Sequence, residues 1–147
     1  MAAIRRAEVT WTGDLLTGAG TITSTTSGAV ADLPVTWASR TEAHGGRTSP
    51  EELVAAAHAS CYAMAFSGGL ARNGTPPERL AVSATVTFDK TEAGWRVVSS
   101  ALAVEGRVPG LEAARFAELA EAARDGCPIS QALKGNVALS VEPTLEG

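Results

Sequence analysis

The stretch S49-PEELVAAAHASCYAMAFSGGLARNGT-P76-P77 decides how this chain folds. Ser49 is a helix cap, Pro50 suits the first helical position, and Glu52 stands where a capping-box acid reaches back to the cap amide. Alanine-rich sequence then carries a helix to about Asn73, roughly 22 residues or about 33 Å long. Thr75-Pro76-Pro77 ends it, and Gly68-Gly69 is expected to kink or fray its last turns. Between Leu53 and Phe66 the helix is apolar around most of its circumference, which predicts the buried centre of a fold.

Outward from this helix the chain reads as strands and shorter helices. Ile4 to Trp11, Gly18 to Ser24 and Leu33 to Ala38 form an N-terminal antiparallel meander, followed by a polar loop from Arg40 to Thr48. Leu80 to Asp89 alternates apolar and polar residues, and Trp95 to Val104 answers it across a turn, giving a half-buried hairpin. Pro109-Gly110 leads into a second helix ending at Gly126, then a short helix from Pro128 to Leu133 and a last strand from Asn136 to Val141.

The 147 residues fit one domain, residues 1–147, with a sizeable core. Hydrophobic residues make up 45% and charged residues 19%, so part of the surface is expected to be covered by another subunit. The net charge of -4 comes without a basic block, because the arginines are dispersed from Arg5 to Arg124, which argues against nucleic acid and anionic membranes as partners. MAAIRRAEVTWTGD has no apolar region after its arginines, and no window of about 18 residues is free of charge or turn residues, so a cytoplasmic protein without a membrane span is expected.

Cys61 and Cys127 are the only two cysteines. A disulfide persisting in a reducing compartment is not expected, no CxxC pair is present, and the two histidines show no zinc spacing. Cys61 lies too far from its helix N-terminus for the terminal amides to stabilise a thiolate. His58, three residues earlier on the same face, is either a base for it or a histidine satisfied inside the core. Cys127 stands at the cap of the short helix, where free amides favour a thiolate, or simply at a corner between helices. Glu51 and Glu52 read as first-turn acids and Arg40 as a surface arginine unless a carboxylate holds it near a thiol.

Taken together, WTGDLLTGAGTITS, SRTE, SPEELVAAAHASCYAMAFS, VPGLEAARF and GCPISQALKG resemble the OsmC/Ohr family of thiol-dependent peroxidases, its OsmC branch in particular, over essentially the whole chain. The resemblance implies an α+β fold, an intertwined homodimer in which antiparallel sheets enclose long central helices. It implies that Cys61 is the peroxidatic cysteine, attacking an organic hydroperoxide (hydrogen peroxide less well), and that Cys127 resolves the sulfenic acid to a disulfide. Arg40 then matches the family's arginine and Glu51 the glutamate that pairs with it. Glu51 lies about 15 Å along the helix from Cys61, so the cysteine it serves is expected on a second subunit.

No cofactor or metal is implied, and the reductant is a dithiol: a lipoyl protein, a thioredoxin-like protein or a small thiol. Tyr62, Met64, Phe66 and Leu53 are candidates for an apolar substrate rim, against a simpler role in the core. Thr41 stands where the family commonly places an aromatic, and the loop after Arg40 is about one residue longer than usual. Two other readings compete with the peroxidase: a peroxide-sensing or ligand-binding dimer that uses the same cysteines without turnover, and a structural dimer with inert thiols.

Overall fold

A computed structural model describes residues 1–147. The elements run β1 (Ala7–Thr12), β2 (Ala19–Thr25), β3 (Leu33–Val35), α1 (Trp37–Thr41), α2 (Pro50–Arg72), β4 (Arg79–Thr91), β5 (Gly94–Arg107), α3 (Ala113–Gly126), α4 (Pro128–Leu133) and β6 (Ala138–Leu145). They form two compact units, Met1–Leu53 and Val54–Gly147, which divide within α2.

In the first unit β1, β2 and β3 form the expected antiparallel meander. Asp14 closes its first turn by accepting from the Thr17 amide at 2.8 Å and the Thr17 hydroxyl at 2.9 Å. The third strand is shorter than its sequence suggests, because Trp37 and Ala38 belong to α1. Thr36 diverts the chain: its hydroxyl accepts from the Ser39 amide while its own amide donates to the Ser39 hydroxyl, a capping box that starts a helix at once. Arg40 consequently sits in the last turn of a helix and not in a loop.

α2 begins as its sequence predicts, with the Glu52 amide donating to the Ser49 hydroxyl at 3.2 Å. The Glu52 carboxylate does not reach back to the cap amide; it accepts from the Thr48 hydroxyl at 3.0 Å. The helix runs through Gly68 and Gly69 to Arg72. It stops three residues before the Thr-Pro-Pro signal, because Gly74 adopts a left-handed φ of 82°. The Thr75 amide then bonds Leu70 O and the Gly74 amide bonds Ala71 O, at 3.0 Å each, which satisfies carbonyls the helix end would otherwise orphan.

The second unit holds the apolar core. His58, Tyr62, Phe66 and Leu70 recur every four residues on α2 and are fully buried. The last three share a core with Leu102 and Val104 of β5 and Phe116 and Ala120 of α3. The Phe66 ring lies 5.1 Å from Phe116 and 5.7 Å from Tyr62, both tilted as aromatic pairs prefer. Burying each of these large side chains stabilises the fold by about 1.5–3 kcal/mol.

The opposite side of α2 is open: Ala56, Ala57, Ser60 and Met64 are exposed, Met64 at 74%. The helix is thus buried along one face only within a single chain. With its two glutamates confined to the first turn, it is also long and apolar enough, by length and composition alone, to cross a membrane.

β4 and β5 form the expected hairpin, joined by Glu92-Ala93, with a bulge after Thr87. β6 pairs with β5 in parallel, so this sheet is mixed where antiparallel sheets were expected. The path through α3 and α4 supplies the crossover that a parallel return needs. β6 also starts and ends later than predicted, at Ala138–Leu145.

Gly106 of β5 lies directly under Phe116, and a Cβ there would fall 2.7 Å from two carbons of the buried ring. Gly106→Ala is therefore expected to lower stability by about 1–3 kcal/mol. Urea unfolding should show a lower midpoint at an unchanged slope.

Candidate active site

Cys61 projects from the middle of α2, and Cys127 is the residue shared by two helices. The Cys127 amide donates to Ala123 O at 2.9 Å, closing α3, and its carbonyl accepts from the Gln131 amide at 3.0 Å, opening α4. Pro128 fits the first position of α4 because it has no amide hydrogen to satisfy. The Gly-Cys-Pro corner therefore fixes the Cys127 backbone from both sides.

Both thiols are free, Cys127 fully buried and Cys61 partly buried. The Cys127 thiol and the backbone N–H of Ile129, two residues beyond it, both lie near enough to act on the Cys61 sulfur. Burial and the neighbouring Cys127 push the Cys61 pKa up, while the Ile129 amide pulls it down; the net direction is upward. The amide that helps the Cys61 thiolate thus comes from α4 and not from its own helix. Within this unit Cys61 is juxtaposed to its partner thiol but held in its neutral form.

His58 is not a base for Cys61. Its Nδ1 is 2.6 Å from the Ser100 hydroxyl of β5 and its Nε2 is 2.7 Å from the Ser130 hydroxyl of α4. Both ring nitrogens are therefore engaged, and the core-histidine reading holds. Burial lowers its pKa, which keeps the ring neutral.

In the first unit Arg40 and Glu51 are joined by three hydrogen bonds. Arg40 Nε donates to Oε1 at 2.9 Å and Oε2 at 3.1 Å, and Nη2 donates to Oε1 at 2.8 Å. The Glu51 side chain is 8% exposed and that of Arg40 30%, so the carboxylate is sheltered and the arginine side chain is partly exposed. The Trp37 ring lies 5.6 Å from the guanidinium carbon. Sequence reading missed Trp37, although its place one turn before Arg40 was a usable signal once α1 is recognised as a helix.

Of the proposed rim residues, Tyr62 and Phe66 are core, with no exposed surface. Leu53 is half-buried, and Met64 lines an open hollow with Arg72, Arg115 and Leu119. No group of three or more His, Cys, Asp or Glu residues is arranged to hold a metal ion.

The OsmC-like protein family model matches residues 43–142, which include both cysteines and Glu51. The chain belongs to the OsmC/Ohr family, in its OsmC branch. It is 38% identical over 142 residues to Peroxiredoxin OsmC of Escherichia coli, covering 97% of this chain and 98% of the relative. The fold is similar to that of an organic hydroperoxide resistance protein OsmC from Legionella pneumophila, with a TM-score of 0.71, 24% identity, and 97% and 99% of the two chains covered. It is also similar to the organic hydroperoxide resistance protein OhrB of Bacillus subtilis, with a TM-score of 0.69, 25% identity, and 95% and 98% covered. Family membership and the neighbouring cysteines together support redox enzyme activity and, in general terms, a thiol-based peroxidase mechanism.

Tyr62 supports this site by donating its hydroxyl to the Ala120 carbonyl in the middle of α3 at 2.9 Å. Burial raises its pKa far above the ordinary tyrosine value, so its contribution to stability is complete below about pH 10 and is lost as pH rises beyond the unfolded-state value. Tyr62→Phe should cost about 1 kcal/mol at pH 7. Unfolding measured from pH 7 to 11 should show that the variant escapes part of the wild-type loss above pH 10.

Proposed function

We propose that this protein is a homodimeric peroxidase that reduces organic hydroperoxides to alcohols, and hydrogen peroxide less well, through a Cys61–Cys127 disulfide. The observation that carries this reading is the placement of the buried Cys127 thiol beside Cys61 while both are reduced. The Cys61 thiolate attacks the peroxide oxygen that bears hydrogen. The oxygen–oxygen bond breaks, Cys61 becomes a sulfenic acid, and the alkoxide takes a proton to leave as the alcohol. The Cys127 sulfur then displaces hydroxide from the sulfenic acid, forming the disulfide and releasing water. A dithiol reduces this bond by exchange and is itself oxidised; a lipoyl protein, a thioredoxin-like protein or a small thiol has the required chemistry.

The first step needs a positive donor, since a buried thiol resists ionisation and an alkoxide is a poor leaving group. Arg40, oriented by Glu51 and partly exposed, is the positive donor assigned to this role. Glu51 is ten residues from Cys61 along α2, about 15 Å, so the Arg40–Glu51 pair is assigned to the Cys61 of a partner subunit. The exposed small residues Ala56, Ala57 and Ser60 with Met64 form the face of α2 that a second copy covers. Covered in this way, the long apolar helix is the centre of one domain of a cytoplasmic dimer and not a membrane span. The names of the related proteins, a peroxiredoxin and organic hydroperoxide resistance proteins, support the same substrate class.

One equivalent of alkyl hydroperoxide should remove two thiols per chain, with a mass decrease of about 2 Da, and excess dithiol should sustain turnover. Cys61→Ser should abolish peroxide consumption, whereas Cys127→Ser should oxidise once without forming the disulfide. Arg40→Gln should slow the first oxidation roughly 10²-fold or more while preserving the fold. Retention of both thiols would overturn the peroxidase reading, and a single round without turnover would leave a sensor.

A further inference from the structure

We propose that the buried Ser100–His58–Ser130 hydrogen-bond chain is the positioning device of the thiol site, docking α4 so that Cys127 and the Ile129 amide are both set against Cys61. The proposal rests on the thiol reading above and adds a role for three residues that take no part in the chemistry. His58 is here a positioning residue.

The elements that carry the two thiols also carry this chain. His58 and Cys61 lie three residues apart on α2, and Cys127 and Ser130 lie three apart at α4. β5 supplies the third anchor through Ser100, whose hydroxyl is 2.6 Å from His58 Nδ1, while the Ser130 hydroxyl is 2.7 Å from Nε2. His58 and Ser100 have no exposed surface and Ser130 has 1%. A neutral imidazole donates from one nitrogen and accepts at the other, so one serine hydroxyl accepts from the ring and the other donates to it. The chain is complete, with no buried side-chain polar atom left without a partner.

A short helix needs such an anchor. α4 has six residues, too few to be stable alone, and Ser130 is its buried side chain. Apolar contacts would hold it down without fixing its rotation or register, whereas two short, buried hydrogen bonds are directional and costly to break. Ile129, whose amide reaches the Cys61 sulfur, lies between Cys127 and Ser130. A single anchor at Ser130 therefore controls both the group that stabilises the thiolate and the thiol that resolves its oxidised form. Near-attack geometry is sensitive to displacements of about 1 Å.

The test compares wild type, His58→Leu, His58→Gln and Ser130→Ala as reduced full-length protein. Two quantities are read: the pH midpoint of Cys61 alkylation by iodoacetamide, and the rate of Cys61–Cys127 closure driven by the thiol oxidant diamide. Neither depends on peroxide. His58→Leu and Ser130→Ala should raise the alkylation midpoint by up to about one pH unit and slow closure about tenfold or more. His58→Gln, which can still bond one serine, should recover part of both. If Ser130→Ala and His58→Leu lower the melting temperature while midpoint and closure stay at wild-type values, the chain is only a packing feature and the proposal fails. Should His58→Leu not fold, Ser130→Ala alone decides between these outcomes. If closure slows in the variants but wild type ignores alkyl hydroperoxide, the positioning role stands and the peroxidase reading falls.

Discussion

The packing of Tyr62 and Phe66 against α3 is the contact on which the rest of the thiol-bearing unit depends. Phe66 meets Phe116 at 5.1 Å, and the Tyr62 hydroxyl ties down the carbonyl of Ala120. Together they fix the direction of α3, and α3 delivers Cys127 at its end. Cys61 lies next to Tyr62 on α2, so the same packing that builds the core aligns the two sulfurs. Apolar burial thereby does what a local motif such as CxxC does elsewhere: it brings together two thiols that are far apart in sequence.

This economy has an electrostatic cost. A core that excludes water favours the neutral thiol, and the Cys61 pKa moves upward despite the Ile129 amide. On the proposed reading, ionisation draws on a charge from the partner subunit, and a guanidinium is suited to it because it stays charged and presents donors in a fixed fork. Glu51 spends its carboxylate on orienting Arg40, and Trp37 flanks the same group. In the role proposed for Arg40, an arginine already paired loses less conformational freedom on meeting substrate than a loosely held one.

Much of the fold was legible because its signals are local. Ser49-Pro50 announced α2, the alternation from Leu80 announced the hairpin, and Gly126-Cys127-Pro128 marked the corner between α3 and α4. Where reading failed, a local signal was overridden by a neighbour. Trp37 and Ala38 continue an extended-looking run, but the Thr36–Ser39 capping box turns them into helix. Thr75-Pro76-Pro77 reads as the stop of α2, yet Gly74 ends it earlier by entering the left-handed region. Glu52 found the Thr48 hydroxyl in place of its own cap amide. The parallel pairing of β6 carries no periodicity of its own, since strand direction is set by the crossover before it.

The sequence by itself determined the order of every element but α1, the two cysteines with their contrasting settings, and the family to which their surroundings point. These are properties of neighbouring residues, and short-range sterics, capping and apolar spacing express them without reference to the rest of the chain. Only the tertiary structure decided that His58 gives both nitrogens to Ser100 and Ser130, and that the amide reaching Cys61 comes from Ile129. It also showed how the Arg40–Glu51 pair implied by the resemblance is built, with Nε and Nη2 of Arg40 both donating to the carboxylate. Each of these depends on the distance and direction between groups 11 to 72 residues apart, which packing sets and spacing along the chain does not encode.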